Sequence, residues 1–295
     1  MIHLLVIRRR SNAIIGSKMT EQYQPIDKYI TVGGLRLHYV DWGNSKANLM
    51  VLLHELGDCT RNWDIFANAM SSDYHVIALD HRGHGDSDWA EAGGYNFGNY
   101  VTDVKAFVSQ LKLNDVIFVG HGLGANSAFV YAADSPEVVK ALVVLSSELG
   151  VLNTGTFPKR QIGYHKQHNI DFLESLTKIL RREQPYSEHD WLISQTRHMS
   201  KSLPGGKRVW KCDPKTLSNY EQPNLWEQIT KIKCPTLIVS GRQNDLQTHE
   251  IVVRMRETIS SARLVELEGG GHWFQLENPY AFEDTVSWFL QDILS

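Results

Sequence analysis

The sequence predicts an α/β fold: a mostly parallel sheet with helices on both faces and an inserted helical cap. Three observations carry that reading. Short, continuous apolar runs alternate with segments of helical periodicity, the pattern of strands buried on both faces by helices. A glycine-framed turn, Gly120-His121-Gly122-Leu123-Gly124, joins one such run to a helical segment. Between about residues 147 and 228 the alternation stops, and a stretch rich in aromatic residues and histidine takes its place.

Taken in order, the chain begins with Met1 to Lys18, which carries Arg8, Arg9, Arg10 and Lys18 and no acidic residue. Its apolar run, Leu4 to Ile7, is too short for the apolar region of a secretory leader. Residues 1–19 are therefore read as a disordered tail or an extension before a start at Met19. Lys28–Val32 and Leu35–Trp42 form a hairpin across Gly33-Gly34, a two-residue turn suited to the twist of paired strands. Buried strands are expected at Leu49–Leu53, His75–Leu79, Val116–Val119, Lys140–Leu145, Thr236–Ser240 and Arg263–Leu267. Helices are expected over Trp63–Met70, Tyr100–Leu111, Ala125–Ala133, Ile251–Ile259 and Pro279–Ile293. In the last of these, Phe282, Val286, Phe289, Leu290 and Ile293 recur at helical spacing and mark an amphipathic end to the chain.

Residues 20–146 and 229–295 thus read as one core and 147–228 as the cap inserted into it. The cap holds helical patterns near Phe172–Leu180 and His189–Met199, separated by Pro185 and Pro204-Gly205-Gly206, which are read as breaks between helices. Its aromatic side chains would supply apolar walls for a small-molecule pocket, although most of them also suffice to build the cap's own core.

Composition narrows the function. The net charge of −3 and a pI near 6.5 give no basis for a nucleic-acid or anionic-membrane partner. No apolar run approaches the ~18 residues of a membrane span. Cys59, Cys212 and Cys234 are odd in number and widely spaced, neither a disulfide framework nor a zinc spacing. They fit a reducing, cytoplasmic setting, and no metal or cofactor is expected.

The glycine-framed turn is the most informative motif. Gly-x-Ser-x-Gly after a strand is a nucleophile elbow, in which a tight turn lifts a serine hydroxyl above the sheet. Here both outer glycines stand in place, and Gly122 occupies the position of the serine. No side chain at that position can form an acyl intermediate.

With these landmarks the chain resembles the α/β-hydrolase fold superfamily, in its lid-containing branch of serine hydrolases and epoxide hydrolases, over nearly all of residues 28–295. Leu52-Leu53-His54-Glu55-Leu56-Gly57 resembles the His-Gly oxyanion loop, and Asp80-His81-Arg82-Gly83-His84-Gly85-Asp86-Ser87 the Asp-x-Arg-Gly-x-Gly-x-Ser segment. Gly241-Arg242-Gln243-Asn244-Asp245 and Gly270-Gly271-His272-Trp273 resemble the acid and histidine loops. The resemblance implies an α/β-hydrolase fold of about eight strands, His272 as general base, and Asp245 as the acid that accepts its Nδ1–H. It further implies an oxyanion hole made by the backbone N–H groups of Leu56 and Leu123. Asp80, Arg82 and Ser87 are expected to hold loops together.

Two further residues depart from the family pattern. Glu55 replaces the glycine of His-Gly, where a carboxylate would oppose a developing oxyanion unless it pointed away or was protonated. Glu148, after the sixth main strand, is an alternative acid partner for His272. Cys59 and Ser127 lie near the site but not at the elbow, which makes them poor substitute nucleophiles. The sequence therefore points to an enzyme that acts on a small apolar molecule through the His272–Asp245 pair, by activating water or abstracting a proton. A binding protein of the same fold and an inactivated Ser→Gly variant of an ester hydrolase are the alternatives.

Overall fold

The computed structural model describes residues 24–91, 94–147, 149–150, 171–218, 220–244 and 247–295. The expected tail at residues 1–19 and part of the expected cap lie outside them. The first half contains strands β1 (Ile26–Val32), β2 (Leu35–Asp41), β3 (Asn48–Leu53), β4 (Tyr74–Leu79), β5 (Val116–His121) and β6 (Val139–Leu145). Helices α1 (Asp64–Met70), α2 (Phe97–Gln110) and α3 (Leu123–Asp134) connect them.

After β6 the chain leaves the sheet. It forms β7 (Asp171–Phe172), α4 (Leu173–Glu183), α5 (His189–Met199), β8 (Ser200–Ser202), β9 (Lys207–Trp210), α6 (Lys215–Ser218) and α7 (Trp226–Ile229). It returns as β10 (Thr236–Gly241), α8 (His249–Thr258), β11 (Ala262–Leu267), α9 (Phe274–Glu277) and α10 (Pro279–Leu294).

The main sheet has eight strands in the order β1-β2-β4-β3-β5-β6-β10-β11. Only β2 runs against the others, paired antiparallel with both β1 and β4. The hairpin closes with Val32 opposite Leu35 across Gly33 and Gly34, both at positive φ. Residues along each central strand alternate between two cores. Val51 and Leu53 of β3, with Phe118 of β5, meet Phe107 of α2 and Phe129 of α3. Met50 and Leu52 of β3, with Ile117 and Val119 of β5, meet Phe66 of α1 and Phe282, Val286 and Phe289 of α10. Burial on both faces explains why these strands read as unbroken apolar runs.

The insertion is not wholly helical. Strands β7, β9 and β8 form a small antiparallel sheet, and Pro204-Gly205-Gly206 is the turn of its β8–β9 hairpin rather than a break between helices. Both strands are rich in Ser, Lys and Arg and lack the apolar alternation by which a half-buried strand is recognised. The core of the insertion, Leu176, Leu180, Leu192, Met199 and Trp210, incorporates Cys59 from the segment after β3. Tyr95 Oη also donates to Asp213 at 2.7 Å. The insertion therefore packs over the C-terminal ends of the strands, where open α/β sheets place their sites.

A buried ion pair holds the segment after β4. Arg82 Nε and Nη2 donate to the two Asp103 oxygens, each at 2.6 Å, and Asp103 is 1% exposed. Asp103→Ala leaves the guanidinium without its partner and should cost about 3–5 kcal/mol in chemical denaturation. Removing the exposed Lys105–Asp134 pair by Lys105→Ala should cost about 1 kcal/mol or less in the same assay.

Candidate functional site: a carboxylate over the glycine elbow

The elbow owes its shape to close packing. A Cβ on Gly120 would meet the Ala125 backbone, and one on Gly124 would meet the Leu53 carbonyl, so α3 can start against β3 only with glycine at both positions. Gly122 sits between them at φ 49°, ψ −109°, in a region that favours glycine. Its N–H donates to Leu145 O at 3.0 Å, and its carbonyl accepts from Asn126 N at 2.9 Å.

Above Gly122 lies the side chain of Glu55. A Cβ at residue 122 would fall on its carboxylate, with Oε2 the nearest atom. Glu55 Oε1 accepts from the backbone N–H of Leu56 at 2.5 Å and of Leu123 at 3.1 Å. His272 Nε2 lies 3.1 Å from Oε2, within hydrogen-bonding distance. Two backbone N–H donors converge on Oε1 of this buried side chain, and the His272 ring faces Oε2. The sequence reading had this carboxylate oppose a developing oxyanion unless it pointed away or was protonated; in the structure it does not point away but accepts from the N–H groups of Leu56 and Leu123. The carboxylate thus occupies the space beside both amides that were expected to form the oxyanion hole.

The His272 loop is fixed from several sides. Gly271 N donates to Glu277 Oε2 at 2.7 Å, and Gln243 Oε1 accepts from the N–H groups of Gly269 and Gly270 at 3.2 Å. Ser146, at φ 49°, donates through Oγ to His272 O at 2.8 Å. Burial pushes the Glu277 carboxyl up. The two candidate acids for Nδ1, Asp245 and Glu148, lie outside the described residues.

His121 was passed over in the sequence, although it stands between two elbow glycines. Its ring lies 4.7 Å from that of His272, and its Nδ1 is 3.0 Å from Gln275 Nε2. Ligand atoms of Glu55, His121 and His272 lie within 4.8 Å of one another, a donor set able to hold a transition metal; His38, Asp80 and Asp86 form a second such group. Also unforeseen are the Tyr100 hydroxyl and both ring nitrogens of His81, buried with no hydrogen-bond partner among the described residues. Tyr100 packs in one cluster with Leu56 and Leu123. Only folding brings these residues together, since no motif links them.

The remaining polar residues are structural in their contacts. Asp80 accepts from His38 Nδ1 at 2.6 Å, Thr60 N at 2.7 Å and Asp86 N at 2.9 Å. Ser87 Oγ donates to Asp80 O, and Ser127 Oγ donates to Leu123 O. Burial, reinforced by the Asp80 and Asp58 charges, holds the Cys59 thiol well above its usual range, which disfavours the reactive thiolate.

Neutral histidines brace the loop that carries Glu55. His84 Nε2 accepts from Gly57 N at 2.9 Å while its Nδ1 donates to Arg82 O at 2.8 Å. Burial, with the adjacent His54, lowers His84 to about 3 from an ordinary value of 6.5. His54 and His81 shift in the same direction. Between about 6.5 and about 3 the unfolded chain binds more protons than the folded one, so the stabilising contribution is complete above that window and is lost as pH falls through it. The urea midpoint should therefore drop from about pH 7 to about pH 5, with a shallower drop in His84→Gln, which keeps a donor and an acceptor without titrating.

The family described as "Alpha/beta hydrolase family" matches residues 50–285. A Bacillus subtilis (strain 168) protein, provisionally named a 2-succinyl-6-hydroxy-2,4-cyclohexadiene-1-carboxylate synthase, is 27% identical over 271 residues, covering 90% of this chain and 98% of its own. Epoxide hydrolase 3 of Mus musculus is 26% identical over 284 residues, covering 88% of this chain and 75% of its own. Among solved structures, E-2-(acetamidomethylene)succinate hydrolase matches with a TM-score of 0.79 at 19% identity, over 91% of this chain and 100% of that one. That last likeness is one of fold.

Proposed function

The chain belongs to the alpha/beta hydrolase family, and on that premise we propose that it is an enzyme for a small apolar molecule that works by proton transfer at His272 and forms no serine acyl intermediate. The observation that carries this reading is the Glu55 carboxylate, which bonds both hole amides and His272 and lies over Gly122. The amides of Leu56 and Leu123 are the oxyanion-hole pair, and Asp245 is the acid that orients His272, with Glu148 the alternative. The insertion between β6 and β10 acts as the cap that screens the site. The Tyr100 hydroxyl, adjoining the two hole residues, would meet a polar atom of the substrate.

Family relatives carry names from different reaction classes, a synthase and an epoxide hydrolase among them. Small-molecule substrates are common to those names, and a positioned histidine base is sufficient for either class, contributing about 10²–10⁴-fold alone. The three cysteines, all buried and unpaired, support a cytoplasmic setting. Among the described residues no helix is long and apolar enough to cross a membrane.

The relation of Gly122 to Glu55 disfavours a simple inactivated ester hydrolase. A serine Cβ would overlap the carboxylate, so the two residues are matched to one another. Activated esters such as p-nitrophenyl acetate should turn over slowly with no burst, and a fluorophosphonate should leave the protein unlabelled. Stoichiometric labelling would show that another residue acts as a serine-type nucleophile.

Gly122→Ser alone should destabilise the protein and leave ester hydrolysis low. Gly122→Ser with Glu55→Gly clears the hole and restores a hydroxyl beneath His272, and should raise ester turnover by more than the product of the two single effects. Full burst activity in Gly122→Ser alone would mean that Glu55 leaves the hole in solution.

A further inference from the structure

We propose that Glu55, His121 and His272 together bind one divalent transition-metal ion of the zinc class. The ligands are Glu55 Oε2, His121 Nε2 and His272 Nε2, and a fourth position is open to water or a small anion. The three residues come from the loop after β3, the elbow and the loop after β11, so no spacing in the sequence announces them.

Ligand atoms of the three residues lie within 4.8 Å of one another. Glu55 and His121 are buried, and the His272 side chain is only 9% exposed. Zinc holds nitrogen and oxygen ligands at about 2.0–2.1 Å in a tetrahedral array, which sets neighbouring ligand atoms about 3.3 Å apart. His272 Nε2 and Glu55 Oε2 stand 3.1 Å apart, so that edge is already in place. The same geometry puts the centroids of two zinc-bound imidazoles about 5 Å apart. Those of His121 and His272 are 4.7 Å apart. Glu55 reaches this point because Gly122 has no Cβ to fill it. Two imidazoles and one carboxylate suit zinc, whereas magnesium and calcium take oxygen ligands.

A metal ligand must also be oriented from behind, and each of these is. Leu56 N and Leu123 N donate to Glu55 Oε1 at 2.5 and 3.1 Å, which makes Oε2 the forward oxygen. The His272 segment is fixed through its backbone: Ser146 Oγ donates to His272 O at 2.8 Å, and Gly271 N donates to Glu277 Oε2 at 2.7 Å. Behind His121, Gln275 Nε2 lies 3.0 Å from Nδ1. Gln275 is 2% exposed, and its Oε1 is buried with no hydrogen-bond partner among the described residues. Turning this amide end for end sets Oε1 against Nδ1, where it accepts the Nδ1–H that remains when Nε2 binds the ion. An ion here takes the lone pair on His272 Nε2, so the metal-bound and proton-transferring forms of that residue exclude each other. Only this last consequence rests on the reading of His272 as the proton-transfer group; the site itself does not.

The test is calorimetric titration of the chelator-treated full chain with zinc chloride. One equivalent should bind, and magnesium or calcium chloride should give no heat of binding. Glu55→Gln, His121→Gln and His272→Gln should each weaken zinc binding by about 10²-fold or more, and Gln275→Leu by about 10–100-fold. Asp86→Asn, in the second group of donors, should leave it unchanged. X-ray absorption at the zinc edge of the wild-type complex, which needs no variant, should show two imidazoles and one carboxylate oxygen around the ion. Absence of stoichiometric zinc binding, binding undiminished in folded His121→Gln, or a zinc environment without two imidazoles would each overturn the proposal. None of these measurements reads turnover, so the proton-transfer reading fails separately, if His272→Gln alters no activity found in a panel of small carbonyl substrates.

Discussion

A charge buried at the ends of the strands is the constraint on which the site depends. An ionised carboxylate is tolerated away from water only when enough donors face it. Glu55 obtains its donors from separate parts of the chain: its own neighbour Leu56 after β3, Leu123 at the start of α3, and His272 after β11. Each segment is thereby drawn to a common point. The absence of a side chain at Gly122 is a condition of this arrangement, since any Cβ there would claim the same space.

A second tier of contacts makes the first possible. His84 holds Gly57, His54 holds the backbone of His81, and Asp80 ties Thr60 to Asp86, so the loop after β3 is braced against the loop after β4. On the far side Ser146 and Glu277 secure the backbone around His272. The inner donors are thus presented by backbone that is itself hydrogen-bonded, the condition under which a preorganised site keeps its geometry during reaction.

Much of the fold was legible because burial leaves a strong signature. The unbroken apolar runs of β3, β5 and β6 announced strands covered on both faces, and the spacing of Phe282, Val286 and Phe289 announced α10. The β8–β9 hairpin was not legible, because Ser200–Ser202 and Lys207–Trp210 belong to a small sheet with little apolar content to show. At the site, the glycine frame and His272 could be read from local motifs. The position of Glu55 could not: adjacency to Leu56 in the chain does not reveal that the side chain folds back onto that residue's own N–H and spans to Leu123, across 68 positions. His121, Gln275 and Tyr100 were hidden for the same reason, since their relation to the site is tertiary.

The overlap between residue 122 and the Glu55 carboxylate also constrains how such a site can change over generations. In this sequence a serine introduced at position 122 places two side chains in one volume, while removal of the glutamate leaves the N–H groups of Leu56 and Leu123 without the carboxylate they bond. Residues 55 and 122 are thus coupled through one volume: which side chain either position tolerates depends on the one present at the other.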